Sequence, residues 1–300
     1  MRLRGTYTAL ITPFAGEEVD YEGFRVNIRH QIKEGVDGIL PLGTTGETPT
    51  LTEAEQERLI TIAVEEASDD IEVLVGVGSN STAHTVENAR RAQRLGANMV
   101  LVVTPYYNKP TPEGIYQHFK AVHDAISIPI VVYNIQSRTG KNIETPLLAR
   151  LAQLPRIIGV KEASGNVDQM GDVIDTIKGA DPTFSVMSGD DGLTWPLLAL
   201  GGDGVISVVS NLVPGKVSEM VTAGLAGQME EARRMHYALL PLFKVAFIET
   251  NPIPIKAAMG MCGMAAGGYR LPLVPMQPEN ATKLKAVLEQ MQILPLKVTR

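Results

Sequence analysis

The sequence has only one cysteine in 300 residues, Cys262. A lone cysteine can form neither a disulfide within the chain nor a cysteine metal cluster. No apolar run approaches the roughly 20 residues that a membrane-spanning helix needs. Residues 1–6 (MRLRGT) contain no apolar stretch of the signal-peptide type. We therefore expect a cytoplasmic protein with no membrane segment.

Positive charge is also scarce. The chain has 27 Lys and Arg against 33 Asp and Glu, a net charge of −6, and it lacks a basic cluster, which argues against binding nucleic acid or an anionic membrane.

The five histidines are scattered. The closest two, His118 and His123, are five residues apart, a spacing that does not place a metal-binding pair on one helical face. We interpret both as residues of a helix surface or helix packing and expect no metal site.

What the sequence does have is a regular alternation of short apolar runs with amphipathic stretches, repeated roughly every 30 residues. The predicted strands are 6–11, 38–42, 72–77, 99–103, 130–133, 157–161, 184–187 and 205–208. Predicted helices between them include 52–67, which opens on Thr52 as N-cap, and 82–95, which Gly96 ends. Eight such units favour the α/β class and a closed (β/α)8 TIM barrel over an open doubly wound sheet.

The sequence from about residue 213 lacks strand patterns and reads as helices at 214–225, 229–247, 254–261 and 278–292. No low-complexity linker precedes them. We predict a barrel domain at residues 1–225 and a C-terminal helical extension at residues 226–300 that packs on the barrel.

Lys161 ends an apolar run, RIIGVK at residues 156–161. An ammonium in apolar surroundings has a pKa that falls toward neutrality, and the amine becomes a nucleophile able to form a Schiff base. For an isolated strand-end lysine, extension into solvent is the more frequent arrangement. The residues at the other strand ends favour the buried alternative.

Polar side chains follow several of these strands. Thr44 and Thr45 lie in GTTGE at residues 43–47, a turn that presents hydroxyls and backbone N–H groups suited to a small carboxylate, although an ordinary glycine-containing turn is the alternative. Tyr107 lies in a loop bracketed by prolines. Tyr133 ends the fifth strand as a candidate proton donor, and Arg138 follows as a candidate carboxylate clamp.

Catalytic groups of a barrel come from the carboxyl ends of its strands, so these side chains converge on one face. A lysine, tyrosines, threonines and an arginine together indicate imine chemistry on an α-keto acid. The Gly76-x-Gly78 pattern lacks the third glycine of a dinucleotide motif. We also find no clear phosphate-binding loop for pyridoxal phosphate, and we expect no cofactor.

The chain resembles the dihydrodipicolinate synthase / N-acetylneuraminate lyase family of class I aldolases over nearly its whole length. The resemblance rests on GTTGE at 43–47, TPYYN at 104–108, YN at 133–134 with SRTG at 137–140, GVKE at 159–162, SGDD at 188–191 and NPIPIK at 251–256.

The resemblance implies a set of roles for residues of this sequence. Lys161 would form a Schiff base with pyruvate, and Tyr133, Thr44 and Tyr107 would relay protons, with Tyr107 reaching in from a neighbouring subunit. The pyruvate site would be completed by Thr45, the backbone around Ile206, and Gly189. Arg138 would hold the carboxylate of aspartate semialdehyde. Family members are commonly homotetramers that act in lysine and diaminopimelate synthesis.

Proteins with two other functions would share part of this site. A lyase for a sugar acid, of the N-acetylneuraminate or 2-keto-3-deoxygluconate type, uses the same pyruvate half-site, but sialate lyases tend to lack the arginine at position 138. A binding-only relative would be expected to lose Lys161 or Tyr133, and this chain keeps both.

Regulated relatives bind lysine at a dimer interface, and the resemblance places the equivalent residues at Asn80, His84 and Tyr106, with Gln56 nearby. His84 stands where a glutamate usually faces the ligand ammonium, and Gln56 where a histidine is common. Loss of the carboxylate removes the partner of a cation, so we predict weak or absent inhibition by lysine. Glu53 is the candidate substitute.

Overall fold

The computed structural model describes residues 3–67 and 71–294. Within them, eight parallel strands close into a barrel, and a short antiparallel hairpin lies outside it. The strands are β1 (Gly5–Ala9), β2 (Phe14–Ala15), β3 (Glu18–Val19), β4 (Gly38–Leu40), β5 (Glu72–Gly76), β6 (Met99–Val103), β7 (Ile130–Asn134), β8 (Ile157–Glu162), β9 (Ser185–Ser188) and β10 (Gly204–Ser207). Strand β1 pairs with both β10 and β4, which closes the ring.

Helices alternate with the barrel strands, and further helices follow the last strand. In chain order they are α1 (Tyr21–Lys33), α2 (Glu53–Ala67), α3 (Thr82–Arg94), α4 (Pro112–Ala125), α5 (Gln136–Thr139), α6 (Thr145–Ala152), α7 (Val167–Val173), α8 (Thr194–Ala199), α9 (Pro214–Leu225), α10 (Met229–Val245), α11 (Ile253–Met261) and α12 (Pro278–Gln290). This architecture confirms the predicted (β/α)8 TIM barrel with a C-terminal helical extension.

The helix ends follow the local signals in the sequence. At the start of α2, the Thr52 N–H donates to Glu55 Oε2 at 2.8 Å, and the Glu55 N–H donates to Thr52 Oγ1 at 3.3 Å. This reciprocal pair is a capping box. Helix α3 ends before Gly96, whose φ of +93° is the left-handed conformation that glycine adopts without strain.

The bounds of β6 are the predicted ones, and those of the other barrel strands differ from the prediction by one or two residues. Residues 38–42 were predicted as one strand, but β4 ends at Leu40, because Leu42 has a φ of 58° and leaves the extended conformation. The hairpin of β2 and β3 was not predicted. Strands of two residues are too short to show the alternation that identifies a strand.

The buried apolar side chains form three clusters. One fills the barrel interior and includes Tyr7, Leu101 and Ile206. The second lies between the sheet and the helices around it. The third joins α9, α10, α11 and α12, with Leu242 and Leu288 among its fully buried members. The helices after the barrel therefore share one core with its last βα unit.

Gly76 and Gly78 lie where two backbone segments approach closely. A Cβ atom at Gly76 would be 2.1 Å from the carbonyl oxygen of Leu42, and one at Gly78 would be 2.5 Å from the backbone nitrogen of Val103. Packing alone therefore requires glycine at both positions, and it accounts for the Gly-x-Gly pattern in the sequence.

The division into residues 1–225 and 226–300 stays a prediction, and residues 295–300 lie outside the described part of the chain. In the described ranges, no helix combines the length and the apolar character needed to cross a bilayer. His118 and His123 are both buried in α4, where His118 Nδ1 lies 3.0 Å from the hydroxyl of Thr82.

Candidate active site

Lys161 and Tyr133 face each other at the carboxyl ends of β8 and β7. The two residues are register partners in the parallel pairing of these strands. The Lys161 ammonium lies 4.4 Å from the centroid of the Tyr133 ring. Lys161 is 5% exposed and Tyr133 is 6% exposed. The amine of Lys161 and the phenol of Tyr133 thus lie together at one end of the barrel.

Burial lowers the pKa of Lys161 from 10.5 to about 7. Two charges modify this effect in opposite directions, since Asp191 raises the pKa and Arg138 lowers it. Because the pKa lies near neutrality, a large share of the lysine is the uncharged amine at pH 7. The alternative of a solvated strand-end lysine is therefore wrong.

Tyr133 remains a proton-bearing phenol in this site. Burial raises its pKa to about 12, while the charge of Arg138 and the nearby Thr44 hydroxyl lower it. The phenol therefore lies near a second hydroxyl, that of Thr44. Such a pair can pass a proton toward or away from the lysine.

The threonine turn begins with a 3₁₀ helix, Thr44–Gly46, and ends at Glu47, whose φ of 54° is left-handed. Thr44 is partly exposed and lines a cavity above the barrel. Thr45 is only 2% exposed, and its Oγ1 accepts a hydrogen bond from Asn251 Nδ2 at 2.9 Å. The expectation that this turn exposes both hydroxyls is therefore wrong for Thr45.

Asp191 organises the end of β10. Its fully buried carboxylate accepts from the hydroxyl of Ser207 and from the backbone N–H groups of Val208 and Val209, the latter two at 3.0 and 3.2 Å. Burial raises the pKa of Asp191 to about 6, against the effect of these donors. The carboxylate thereby holds the backbone that follows Ile206. It is also close enough to Lys161 to raise the pKa of the lysine.

Gly189 lies against the aliphatic part of Lys161. A Cβ atom at this position would be 2.7 Å from the Cβ of Ala163 and 3.1 Å from the Cγ of Lys161. Any side chain here would displace the lysine, so glycine is required by space rather than by backbone conformation.

Arg138 lies in the short helix α5 and is exposed. Its Nη2 donates to the backbone carbonyl of Asn251 at 3.2 Å. Among the described residues it forms no ion pair, so its remaining donors can face a ligand carboxylate.

One cavity of about 620 Å³ is lined by four of the predicted site residues, Lys161, Tyr133, Thr44 and Arg138. This volume lies in the range of small-molecule sites. Tyr107 does not line it and is 89% exposed, with a φ of 69° that is rare for a tyrosine. Thr45, Gly189 and Ile206 lie beside the cavity-lining residues rather than on its wall.

The same cavity extends away from the lysine toward the ends of α2 and α3. Its far part is lined by Gln56, His84, Tyr106 and Arg91. Asn80 is not on this wall, and its carbonyl accepts from Asn108 Nδ2 at 2.9 Å. His84 is exposed in the first turn of α3.

Sequence reasoning missed a buried ion pair behind the threonine turn. Lys256 Nζ lies 2.5 Å from Glu47 Oε1, and both side chains are fully buried. Lys256 also donates to the carbonyl of Thr12 at 3.0 Å and lies 4.3 Å from the ring centroid of Phe14. Both charged residues belong to motifs quoted above, but 209 positions separate them in the chain, so no local pattern pairs them.

A second missed group supports Lys161 from the other side of the sheet. Glu162 is fully buried, and its carboxylate accepts from Asn134 Nδ2 at 3.1 Å, from Gln169 Nε2 at 3.2 Å and from the Ser164 N–H at 2.6 Å. Asn134 and Glu162 are register partners, one position beyond Tyr133 and Lys161. This network fixes the alignment of the two strands that carry the reactive pair.

A model of the dihydrodipicolinate synthetase family matches residues 2–291. The chain belongs to the dihydrodipicolinate synthetase family. A curated relative, the 4-hydroxy-tetrahydrodipicolinate synthase of Protochlamydia amoebophila, is 50% identical over 292 residues, which cover 97% of each chain.

Solved structures of this family superpose on nearly the whole chain. Dihydrodipicolinate synthase from Thermotoga maritima has a TM-score of 0.96 at 44% identity, and that from Aquifex aeolicus has a TM-score of 0.95 at 47% identity. Each comparison covers 98% of this chain and 100% of the other. The chain is therefore an enzyme, a lyase of the dihydrodipicolinate synthetase family, as the sequence predicted.

Proposed function

We propose that this family member condenses pyruvate with L-aspartate 4-semialdehyde to 4-hydroxy-tetrahydrodipicolinate through a Schiff base on Lys161. The observation that carries the proposal is the buried amine of Lys161, with a pKa of about 7, beside the phenol of Tyr133. An uncharged amine at neutral pH is the nucleophile that imine formation needs.

The residues support each step of this chemistry. The Lys161 amine attacks the ketone carbon of pyruvate, and loss of water leaves the imine. Removal of a methyl proton then gives an enamine, whose carbon attacks the aldehyde of the second substrate. Tyr133 supplies and accepts protons, and the hydroxyl of Thr44 lies near its phenol. The amino group of the semialdehyde moiety then attacks the imine carbon, which closes the ring and expels Lys161 as the free amine.

Arg138 favours aspartate semialdehyde as the second substrate. Its guanidinium reaches the cavity that contains Lys161 and forms no ion pair with the described residues. It is therefore suited to bind the carboxylate of this substrate through two parallel hydrogen bonds. The rival substrates are the sugar acids of related lyases, for which pyruvate is released rather than consumed.

Borohydride trapping tests the covalent step. Reduction in the presence of pyruvate should inactivate the enzyme and add a pyruvate-derived mass to Lys161, and Lys161→Arg should show no such mass. Activity should survive EDTA. A mass on another lysine, or loss of activity on chelation, would reject the proposal.

A coupled assay tests the acceptor. Pyruvate with aspartate semialdehyde should give product, while N-acetylneuraminate and 2-keto-3-deoxygluconate should not be cleaved at a comparable rate. Faster cleavage of either sugar acid would assign the enzyme to that reaction instead.

The exposed Tyr107 supports a homotetramer in which this residue completes a neighbouring site. At 89% exposure, and with no place on the wall of its own cavity, Tyr107 has a free side chain to offer another subunit. We further place the enzyme in the cytoplasm, where a chain with one buried cysteine needs no oxidising compartment.

A further inference from the structure

Asn251 contacts two separate parts of the candidate active site, the threonine turn and Arg138. It precedes α11, lines the cavity and is 6% exposed. Its side-chain Nδ2 donates to Thr45 Oγ1 at 2.9 Å, and its backbone carbonyl accepts from Arg138 Nη2 at 3.2 Å. One residue of the C-terminal part of the chain thus contacts the threonine turn and the exposed arginine.

The helix that begins after Asn251 is anchored to the same turn. Lys256, in α11, forms the buried ion pair with Glu47, which directly follows Thr44–Gly46. The backbone N–H of Arg270 donates to the other oxygen of Glu47 at 3.3 Å. Because these contacts fix the segment relative to the turn, the Asn251 amide is held at a defined place beside Thr45.

The stability of the fold does not explain why an amide side chain occupies position 251. Its Oδ1 is buried and has no hydrogen-bond partner in residues 3–67 and 71–294. An unpaired buried acceptor destabilises a fold, so an apolar residue of similar size would serve packing better. What the amide provides at this position is the donor to Thr45.

We propose that Asn251 is a positioning residue for pyruvate binding, acting through the hydroxyl of Thr45. The donated hydrogen bond fixes the Thr45 oxygen as an acceptor toward Asn251, which leaves the hydroxyl proton available to other partners and holds the turn that also carries Thr44. The backbone carbonyl of Asn251 orients Arg138 independently of the side chain. The inference rests on the proposed function and on the expectation from the family resemblance that Thr45 belongs to the pyruvate site.

A split between the two substrates tests this role. Asn251→Ala removes one neutral hydrogen bond but keeps the carbonyl, so KM for pyruvate should rise roughly threefold to tenfold. KM for the semialdehyde should change by less than about twofold, since the contact to Arg138 persists. Asn27→Ala is the matched control, because Asn27 is also buried and its Nδ2 donates to the carbonyl of Ala265 at 2.7 Å, while neither of these two residues lines the cavity. Equal effects of both variants on pyruvate would overturn the proposal.

A double-mutant cycle with Thr45→Val identifies the route of the effect. If Asn251 acts through the hydroxyl, Asn251→Ala should change KM for pyruvate by less than about twofold in the Thr45→Val background. Independent, multiplying effects would show that Asn251 acts elsewhere. Asn251→Asp keeps the shape but turns the donor into an acceptor, so it should raise KM for pyruvate at least as much as alanine does. Retention of wild-type KM by the aspartate variant would contradict the proposal.

Crystal structures separate this inference from the proposed function. If the wild type forms no imine with pyruvate, the proposed function is wrong, whereas the positioning role is still judged by the Thr45 side chain. In Asn251→Ala the Thr45 hydroxyl should leave the position it has in the wild type, and an unchanged rotamer would overturn the role.

Discussion

Lys161 is subject to three physical effects at once. Burial in the barrel lowers its pKa, the carboxylate of Asp191 raises it, and the guanidinium of Arg138 lowers it again. Burial is the largest of these, so the pKa settles near 7. The reactivity of the amine is therefore set by the surroundings of the residue rather than by its type.

The first prediction concerns pH. Imine formation needs the uncharged amine, so its rate with pyruvate should be low well below pH 7, rise through about pH 7 and level off above it. Rapid quenching with borohydride at each pH, followed by mass analysis of Lys161, gives the profile. A midpoint near 10, the value of an ordinary lysine, would show that burial does not control this amine.

The second prediction concerns Arg138. Replacing Arg138 by alanine removes a charge-assisted contact worth about 1.5–3 kcal/mol, so condensation should fall by roughly tenfold or more. Trapping of pyruvate on Lys161 should persist. Because Arg138 also lowers the pKa of Lys161, the midpoint of the imine profile should move upward in the variant. Loss of pyruvate trapping would mean that Arg138 has a structural role.

At the scale of elements, the threonine turn and α11 form one unit through Glu47 and Lys256. Neither charge is exposed, and removal of one partner leaves the other buried without compensation. Breaking such a pair costs more than removing both members, since the desolvation of the remaining charge is then unopposed.

The third prediction tests this ion pair. Lys256→Met should lower the free energy of unfolding by about 3–5 kcal/mol, measured by urea denaturation. The double variant Glu47→Gln with Lys256→Met should recover part of that loss. Lys283→Met is the control, because the Lys283 side chain is 59% exposed and its contact to Glu279 is 4.0 Å long, which predicts a change below about 1 kcal/mol. Equal losses for the two lysines would contradict the role of the buried pair.

At the scale of the whole molecule, the proposed role of Tyr107 would link the chemistry to assembly. Its side chain is 89% exposed and does not line its own cavity, and in the proposed homotetramer it would reach another subunit. If a residue acts across an interface, a site whose neighbouring subunit lacks it can regain it when that neighbour is exchanged for a subunit that carries it.

The fourth prediction is complementation between inactive subunits. Mixed Tyr107→Phe and Lys161→Ala chains should regain a part of the activity in hybrid oligomers, since some sites then contain both an intact lysine and an intact tyrosine. Mass spectrometry of the native oligomer should confirm that the subunits exchange. Exchange without recovery would count against an intersubunit role for Tyr107.

The fifth prediction concerns regulation by lysine. Glu53, the candidate carboxylate, already faces Arg91, whose Nη1 lies 3.5 Å from its Oε2. Inhibition by lysine should therefore be weak or absent. His84→Glu should strengthen it by roughly tenfold to a hundredfold through a restored charge-assisted contact, whereas His84→Gln should not. Strong inhibition of the wild type at submillimolar lysine would show that Glu53 serves as the ligand.

The sequence by itself determined the order of strands and helices, because the periodicity of apolar residues reflects which face of each element is buried. It also placed Lys161, Tyr133, Thr44 and Arg138 at strand ends that a barrel brings to one face. The tertiary structure alone decided the pKa of Lys161 and the burial of Thr45. It also decided the contacts of Asn251 and the pairing of Glu47 with Lys256. These depend on side chains up to 209 positions apart in the chain, and contacts of that kind leave no periodic trace in a sequence.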